Sequence, residues 1–249
     1  MIRPYGRLAL LALIVVGCDD PTTTPAPHLA GEVSLYDELG HRLPSAGQVS
    51  VGVLTPSSVR QYQTFTDDEG RFQVELPDAE SFDLMLSRDG FGDMFRYGVV
   101  QEREPVRVDM FARSSAAVTA ASAWAESCGV LCLRLALEVD DFFVPGAGRR
   151  LFRIFLGTDP ELKDWAYDVT DLLVVSNDQP GLVRTGDAAA FELDGLRGLL
   201  DGFPPGATVH VLVHGATENL TNSYRQPWSD LEIFTDLSLT SARTSFVMP

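Results

Sequence analysis

Three consecutive acids, Asp67-Asp68-Glu69, precede Gly70 in the stretch TDDEGRF, Thr66 to Phe72. Clustered carboxylates can hold calcium or share a catalytic proton. An EF-hand loop sets its acids at alternating positions and adds a later Glu. Here the acids are adjacent, and adjacent side chains on extended backbone point to opposite faces. A calcium site would need Asp37-Glu38 to meet them in space. Gly70 suits the left-handed residue that closes a short hairpin loop. Asp67 suits a side chain bonding the backbone two residues on. The expected role of Asp67 and Gly70 is thus a structural turn, with Asp37, Asp67, Asp68 and Glu69 as the calcium alternative.

Other chemistry-bearing residues are sparser. His210 and His214 stand four apart in VHVLVH. On a helix that spacing chelates zinc, but the alternating valines predict a strand, which holds the rings ~13 Å apart. Two outward-facing histidines are expected. Cys128 and Cys132 in CGVLC can form a disulfide only if the backbone turns, as Gly129 allows; free thiols are the alternative. Asp140-Asp141-Phe142-Phe143 could form a contact loop, and Trp165, Tyr167, Tyr224 and Trp228 lie in loop-like sequence. Such aromatics can stack on sugars or hold partner proteins, but more often cap a core. Asp164, Asp168 and Asp171 have no ligand spacing. The chain has no G-x-S-x-G, H-E-x-x-H, phosphate-binding loop or G-x-G-x-x-G, so no familiar reaction is supported. Asn219-Leu220-Thr221 has the N-glycosylation pattern, which a bacterial lipoprotein would not ordinarily bring to that machinery. No metal site and no cofactor are expected.

The elements that must position these residues are strands. Val33 and Leu35 alternate with polar neighbours, as do Val49, Val51 and Val53; Phe72, Val74 and Leu76; Phe82, Leu84 and Leu86; and Val106, Val108 and Met110. Gly, Pro, Asp or Ser bounds each run, the pattern of an antiparallel sandwich. The small residues of Ser114 to Ser122 mark a boundary near Arg113 and the entry of the next block as a strand. That block repeats the alternation at Leu131 to Val139, Phe152 to Leu156, Val209 to Val213, and Leu237 and Leu239. One short helix is expected, Leu193 to Phe203, weakened by Gly195 and Gly198. The fold class is therefore all-β: two tandem antiparallel β-sandwiches, residues 29–113 and 114–249.

The N-terminus reads differently. Arg3 and Arg7 precede an apolar run, Leu8 to Val16, that is too short to span a bilayer and fits a secretion signal. VVGC, Val15 to Cys18, resembles the lipobox of bacterial lipoproteins, in which the chain is cut before the cysteine and that residue is acylated. Residues 1–17 would then be a signal peptide, Cys18 the lipidation site, and 18–28 a Pro/Thr-rich tether. Asp19 resembles the inner-membrane retention residue of enterobacterial lipoproteins. The 249 residues carry a net charge of −16 and no basic stripe, which disfavours phosphate neutralisation, and no nucleic-acid partner is expected. Anionic lipid would not hold so acidic a chain, and any membrane hold must come from acyl chains. Beyond the inner membrane, a disulfide is the favoured state of Cys128 and Cys132.

Gly31-x-Val33, Asp37, Gly40, Leu43-Pro44, Ala46-Gly47, Val49-x-Val51, Thr66-Asp67, Gly70-x-Phe72 and Leu76-Pro77 stand in the order of the carboxypeptidase regulatory-like domain, which the first block resembles. The resemblance implies a seven-stranded, transthyretin-like sandwich and a non-catalytic module common in bacterial envelope proteins. Pro77 to Phe82 departs from it by lacking the family's loop glycine. The block contains no Lys and no Asn, so the isopeptide cross-link of the related Cna B-type domain is excluded. The second block resembles fibronectin type III or immunoglobulin-like sandwiches in architecture only. These readings imply a non-catalytic, envelope-anchored lipoprotein acting in binding or assembly. Its partners would be the bilayer, through Cys18, and an envelope protein or a glycan. The alternatives are a carbohydrate-binding or substrate-presenting lipoprotein of an uptake system and, third, an enzyme with an unfamiliar carboxylate site.

Overall fold

The computed structural model describes residues 28–54, 61–76, 81–100, 105–217 and 223–249. The signal, Cys18, the tether, most of the Pro77–Ser81 loop and the Asn219-Leu220-Thr221 sequon lie outside them. The described residues are all-β, with no helix.

The first block contains β1 (His28–Tyr36), β2 (Ser50–Leu54), β3 (Gln61–Phe65), β4 (Arg71–Glu75), β5 (Phe82–Ser87), β6 (Met94–Val99) and β7 (Val106–Phe111). They form a three-stranded sheet, β4-β1-β7, facing a four-stranded one, β3-β2-β5-β6. Every pairing is antiparallel except β1 with β7, which is parallel; the wholly antiparallel expectation fails there. Val33, Leu35, Val49, Val51, Val53, Leu84, Leu86 and Val108 are buried between the sheets. Fully burying a side chain of this kind stabilises by about 1.5–3 kcal/mol. Gly31 is bare because the Phe72 ring occupies the space where a Cβ would sit, 2.2 Å away.

The second block contains β8 (Ala117–Ser127), β9 (Leu131–Asp140), β10 (Arg149–Gly157), β11 (Val169–Ser176), β12 (Val183–Thr185), β13 (Ala188–Arg197), β14 (Thr208–Ala216), β15 (Ser223–Arg225), β16 (Glu232–Phe234) and β17 (Ser241–Val247). Two four-stranded sheets, β12-β13-β9-β8 and β11-β10-β14-β17, enclose one core, and β15 pairs with β16 as a ribbon. The outer face of β10-β14 carries a second, smaller core of Leu151, Phe155, Leu162, Leu212, Phe234 and Leu237. It arises because the 231–238 segment folds over that face.

Two expectations are corrected here. Leu193 to Phe203 is not a helix: Leu193 and Leu196 pair with Leu135 and Leu133 across a bulge. Gly198 then turns the chain with φ +78°, so that Leu199, Leu200 and Phe203 plug the core. Leu237 and Leu239 are not in a strand; Leu237 is buried and Leu239 exposed in an irregular segment before β17.

Candidate functional site

The acidic turn comes first. Asp67 N–H donates to the Arg71 carbonyl, Gly70 N–H to the Asp67 carbonyl, and Asp67 Oδ1 accepts from Arg71 N–H at 2.7 Å. The carboxylate therefore spans the whole loop, four residues on, and does not make the expected bond two residues on. Gly70 has φ +84°, and a Cβ there would lie 2.1 Å from the Val33 carbonyl oxygen. Thr66 is buried, its hydroxyl donating to the Ala46 carbonyl and accepting from Val49 N–H. The Asp37 carboxylate accepts from Leu39 and His41 N–H, and Glu38 turns toward the second block. Among the described residues no three His, Cys, Asp or Glu side chains come together as metal ligands, so the calcium candidates Asp37, Asp67, Asp68 and Glu69 are not gathered.

Cys128 and Cys132 are joined as a disulfide at the β8–β9 hairpin, where Gly129, at φ +92°, supplies the turn and the Cα atoms stand 6.1 Å apart. In the DDFF segment Phe142 is fully buried against Phe152 and Phe191, a core role.

The two blocks meet in a junction whose residues are separated widely in sequence. Arg150, only 4% exposed, donates to Glu38 at 3.2 Å and to Ser115 Oγ at 2.8 Å, while Ser115 N–H and Oγ also donate to Glu38. Ser114 N–H donates to the Asp236 carbonyl. Gly92 lies against Thr235, whose carbonyl oxygen would be 1.8 Å from a Cβ at that position. Asp236 is buried and accepts from the Thr217 N–H and hydroxyl; burial pushes its carboxyl above the ordinary range. Arg153 lies over the Phe234 ring at 3.8 Å, and burial lowers its pKa.

Beside this junction opens a cavity of about 480 Å³, lined from the first block by Asp93 and Arg113 and from the second by Lys163, Asp164, Trp165, His214, Tyr224 and Arg243. The loop between β10 and β11 positions three of these. Leu162 is buried at its base, Asp168 accepts from Thr158 N–H, Asp159 accepts from Glu161 N–H, and Lys163 and Ala166 bridge through their backbones. The loop is clamped, yet Trp165 remains 52% exposed, with Lys163 5.3 Å over its ring. Of the Asp164, Asp168 and Asp171 set, Asp164 alone lines the cavity; Asp168 closes the loop and Asp171 caps its neighbour's N–H.

His214 corrects a further expectation. It is 9% exposed, not outward-facing, because the Phe234–Ser238 segment covers its face of β14. Its Nδ1 lies 2.9 Å from the Ser238 carbonyl, which makes Nδ1–H the donor; burial lowers its pKa, so the ring is neutral at neutral pH. Tyr224, on β15, packs against Phe95 at 5.3 Å and Tyr97 at 6.1 Å, and its hydroxyl is pushed up to about 12, first by burial and then by Tyr97, Asp93 and Asp164. Trp228, 72% exposed, meets Tyr97 edge-on. On the far side of Tyr224 a second cavity, about 460 Å³, is lined by Arg96, Arg107, Asp109, Ser223 and Arg225. The loop aromatics Trp165, Tyr224 and Trp228 were visible in the sequence. Lys163, the sole lysine, adjoins Trp165 there, whereas nothing local marked Asp93, Arg96, Arg107 or Arg113 as their neighbours.

No family model matches the chain, and no curated protein does. Among solved structures the chain is similar to a candidate carbohydrate binding protein from Bacteroides uniformis, with 9% identity, 90% of this chain and 100% of that one covered, and a TM-score of 0.31. A DUF3823 family protein from Bacteroides ovatus shares 15% identity over 90% of this chain and 100% of its own, with a TM-score of 0.30. The major pilin subunit of Bacillus cereus shares 8% over 89% and 69%, also at 0.30. At these identities and scores nothing about ligand, partner or residue role passes from those proteins to this one.

Proposed function

We propose that the chain is a non-catalytic binding protein of the bacterial cell envelope, exported by residues 1–17, anchored through acylated Cys18, and binding a saccharide in the cleft beside Trp165. The observation that carries the binding half is Trp165 itself. A tryptophan at the tip of a loop clamped by Leu162, Asp159 and Asp168 should be buried if its role were packing; here about half of it faces solvent. Around it stand the groups that recognise hydroxyls: the Asp93 and Asp164 carboxylates, the neutral His214 ring and the Lys163 ammonium. An aromatic face ringed by hydroxyl partners suits a sugar better than a flat protein surface, and so favours the saccharide reading over general assembly. The non-catalytic reading is supported by the occupation of the buried acid, Asp236, in holding Thr217. The anchor rests on VVGC and the apolar run before it. The first block is proposed as a carboxypeptidase regulatory-like module ending near Arg113, on its ordered motif.

Two measurements test the proposal. In detergent phase partition the wild-type protein should enter the detergent phase and Cys18→Ala the aqueous phase; wild type in water refutes the anchor. In a glycan-array screen followed by titration, Trp165→Ala should lose binding at least tenfold with an unchanged melt. Equal binding by Trp165→Ala refutes the cleft as the site.

A further inference from the structure

The second cavity holds three guanidinium groups in a chain of net charge −16. Arg225 is already engaged by Asp230 at 3.0 Å. Arg96 on β6 and Arg107 on β7 have no acid within ion-pair distance among the described residues, and Asp109 is the one carboxylate lining the same space. These two arginines, without an acid partner, line the same pocket as Tyr224 and Ser223. Guanidinium forks match planar or tetrahedral oxyanions, and a tyrosine ring beside them adds a stacking surface. Tyr224 lines both cavities, so a ligand group at these arginines is adjacent to one at Trp165.

We infer that this cavity is the anion subsite of the cleft: the ligand is an acidic saccharide whose carboxylate or sulfate group is taken by Arg96 and Arg107. The inference rests on the saccharide reading of the Trp165 cleft and names its ligand class. Away from this pocket the acidic surface repels such a ligand, so the local field of the arginines selects where it docks. Arg96 and Arg107 are exposed, so the contact weakens with added salt.

The test is calorimetric titration of the full chain with three probes of matched length: a neutral oligosaccharide, its uronate counterpart and its sulfated counterpart. The expected result is roughly tenfold tighter binding of at least one acidic probe than of the neutral one, shrinking as salt rises. The uronate and sulfate arms separate the two sources of negative charge. Arg96→Gln with Arg107→Gln should erase the preference while leaving the melt unchanged, and Arg96→Lys with Arg107→Lys should restore part of it. Equal affinity for neutral and acidic probes, or a preference that survives the double Gln variant, overturns the inference. If Trp165→Ala abolishes neutral binding and no acidic preference exists, the cleft reading stands and the anion subsite falls. If the acidic preference depends on both arginines but not on Trp165, the subsite stands and the cleft reading falls. If none of the probes binds at millimolar concentration, both fall.

Discussion

The loops Thr66–Phe72 and Thr158–Asp168 are alike in composition: each is short, acidic and set between strands. In the first, the Asp67 carboxylate and the loop's backbone bonds close the turn on itself, and Gly70 is pressed against the β1 backbone at Val33. The Asp68 and Glu69 side chains stand solvated at its tip. In the second, Asp159 and Asp168 do the closing from the two ends, and the middle of the loop, Lys163, Asp164 and Trp165, is held out beside a cavity. Acid content is therefore a poor guide to chemistry. What separates the loops is whether the backbone bonds consume the tip or only the base. Substitutions can sharpen or break this contrast.

The largest effect is expected at Gly70. A side chain there has to adopt a left-handed φ of +84° and overlap the Val33 carbonyl oxygen 2.1 Å away. Gly70→Val should destabilise by about 4 kcal/mol, a value reached by few single substitutions. Trp165→Ala should change stability by no more than about 0.5 kcal/mol. Chemical denaturation of both variants decides the matter: similar losses would mean that Trp165 is packing, and the contrast between the loops would collapse.

A third acidic loop connects the blocks. Glu38 is the main partner of buried Arg150, joined by Ser115 and the Asp141 carbonyl. Arg150→Met leaves Glu38 without its counter-charge, and removing one member of a buried pair costs about 3–5 kcal/mol. Because Glu38 retains the Ser115 bonds, the low end, about 3 kcal/mol, is expected, measured as a fall in the denaturation midpoint. A change below about 1 kcal/mol would show that the junction is not a stabilising contact.

Much of the scaffold was legible in the sequence because it is periodic. Val49-x-Val51-x-Val53 and Leu131 to Val139 announce half-buried strands, and these are β2 and β9. Leu193 to Phe203 misled because Leu193, Leu196, Leu199 and Leu200 stand at helical spacing; a bulge in β13 reproduces that spacing by displacing the strand's register. The polar strand β3, QYQTF, lacks an apolar alternation, so its residues alone do not announce it. The parallel partnership of β1 with β7 depends on a contact across the whole first block, which no local pattern encodes. The same is true of the cleft. His214 alternates with valines like any strand residue, and its burial comes from the irregular Phe234–Ser238 segment laid over it. Asp93, Arg113, Trp165 and Tyr224 meet only when both blocks are packed.

His214 also predicts a pH effect of moderate size. Burial, the main cause, puts its pKa below the ordinary 6.5, so the unfolded chain takes up this proton at a pH where the folded chain does not. The stability it contributes is fully present above pH 6.5 and is lost as the pH falls below that value. Asp236 acts in the opposite sense: its raised carboxyl pKa means that acidification toward 3.8 favours the folded state. His214→Asn keeps a side-chain N–H for the Ser238 carbonyl but no titration. Melts recorded from about pH 7.5 down to about pH 5 should show a shallower acid-side decline in that variant. Identical slopes would mean that the ring is freely protonated in the folded protein.

The smallest effects concern the acids that first suggested chemistry. Asp67→Ala removes the bond to Arg71 N–H at 2.7 Å and should cost about 1 kcal/mol. Asp67→Asn keeps an acceptor oxygen there and should cost less. Glu69 is exposed, and Glu69→Gln should be neutral within about 0.5 kcal/mol. A cation site makes a different demand. Bound calcium stabilises the folded state by mass action, so wild type would melt higher in millimolar calcium than in chelator, and Asp67→Asn would abolish the difference. The turn geometry predicts no such difference, because the Asp67 oxygen nearest the loop is already committed to the backbone and the Asp37 carboxylate is committed to Leu39 and His41. Melting temperatures of the three proteins, wild type, Asp67→Asn and Glu69→Gln, should coincide between calcium and chelator. A rise of several degrees in calcium for wild type alone would make these acids ligands and would erase the distinction between the two loops.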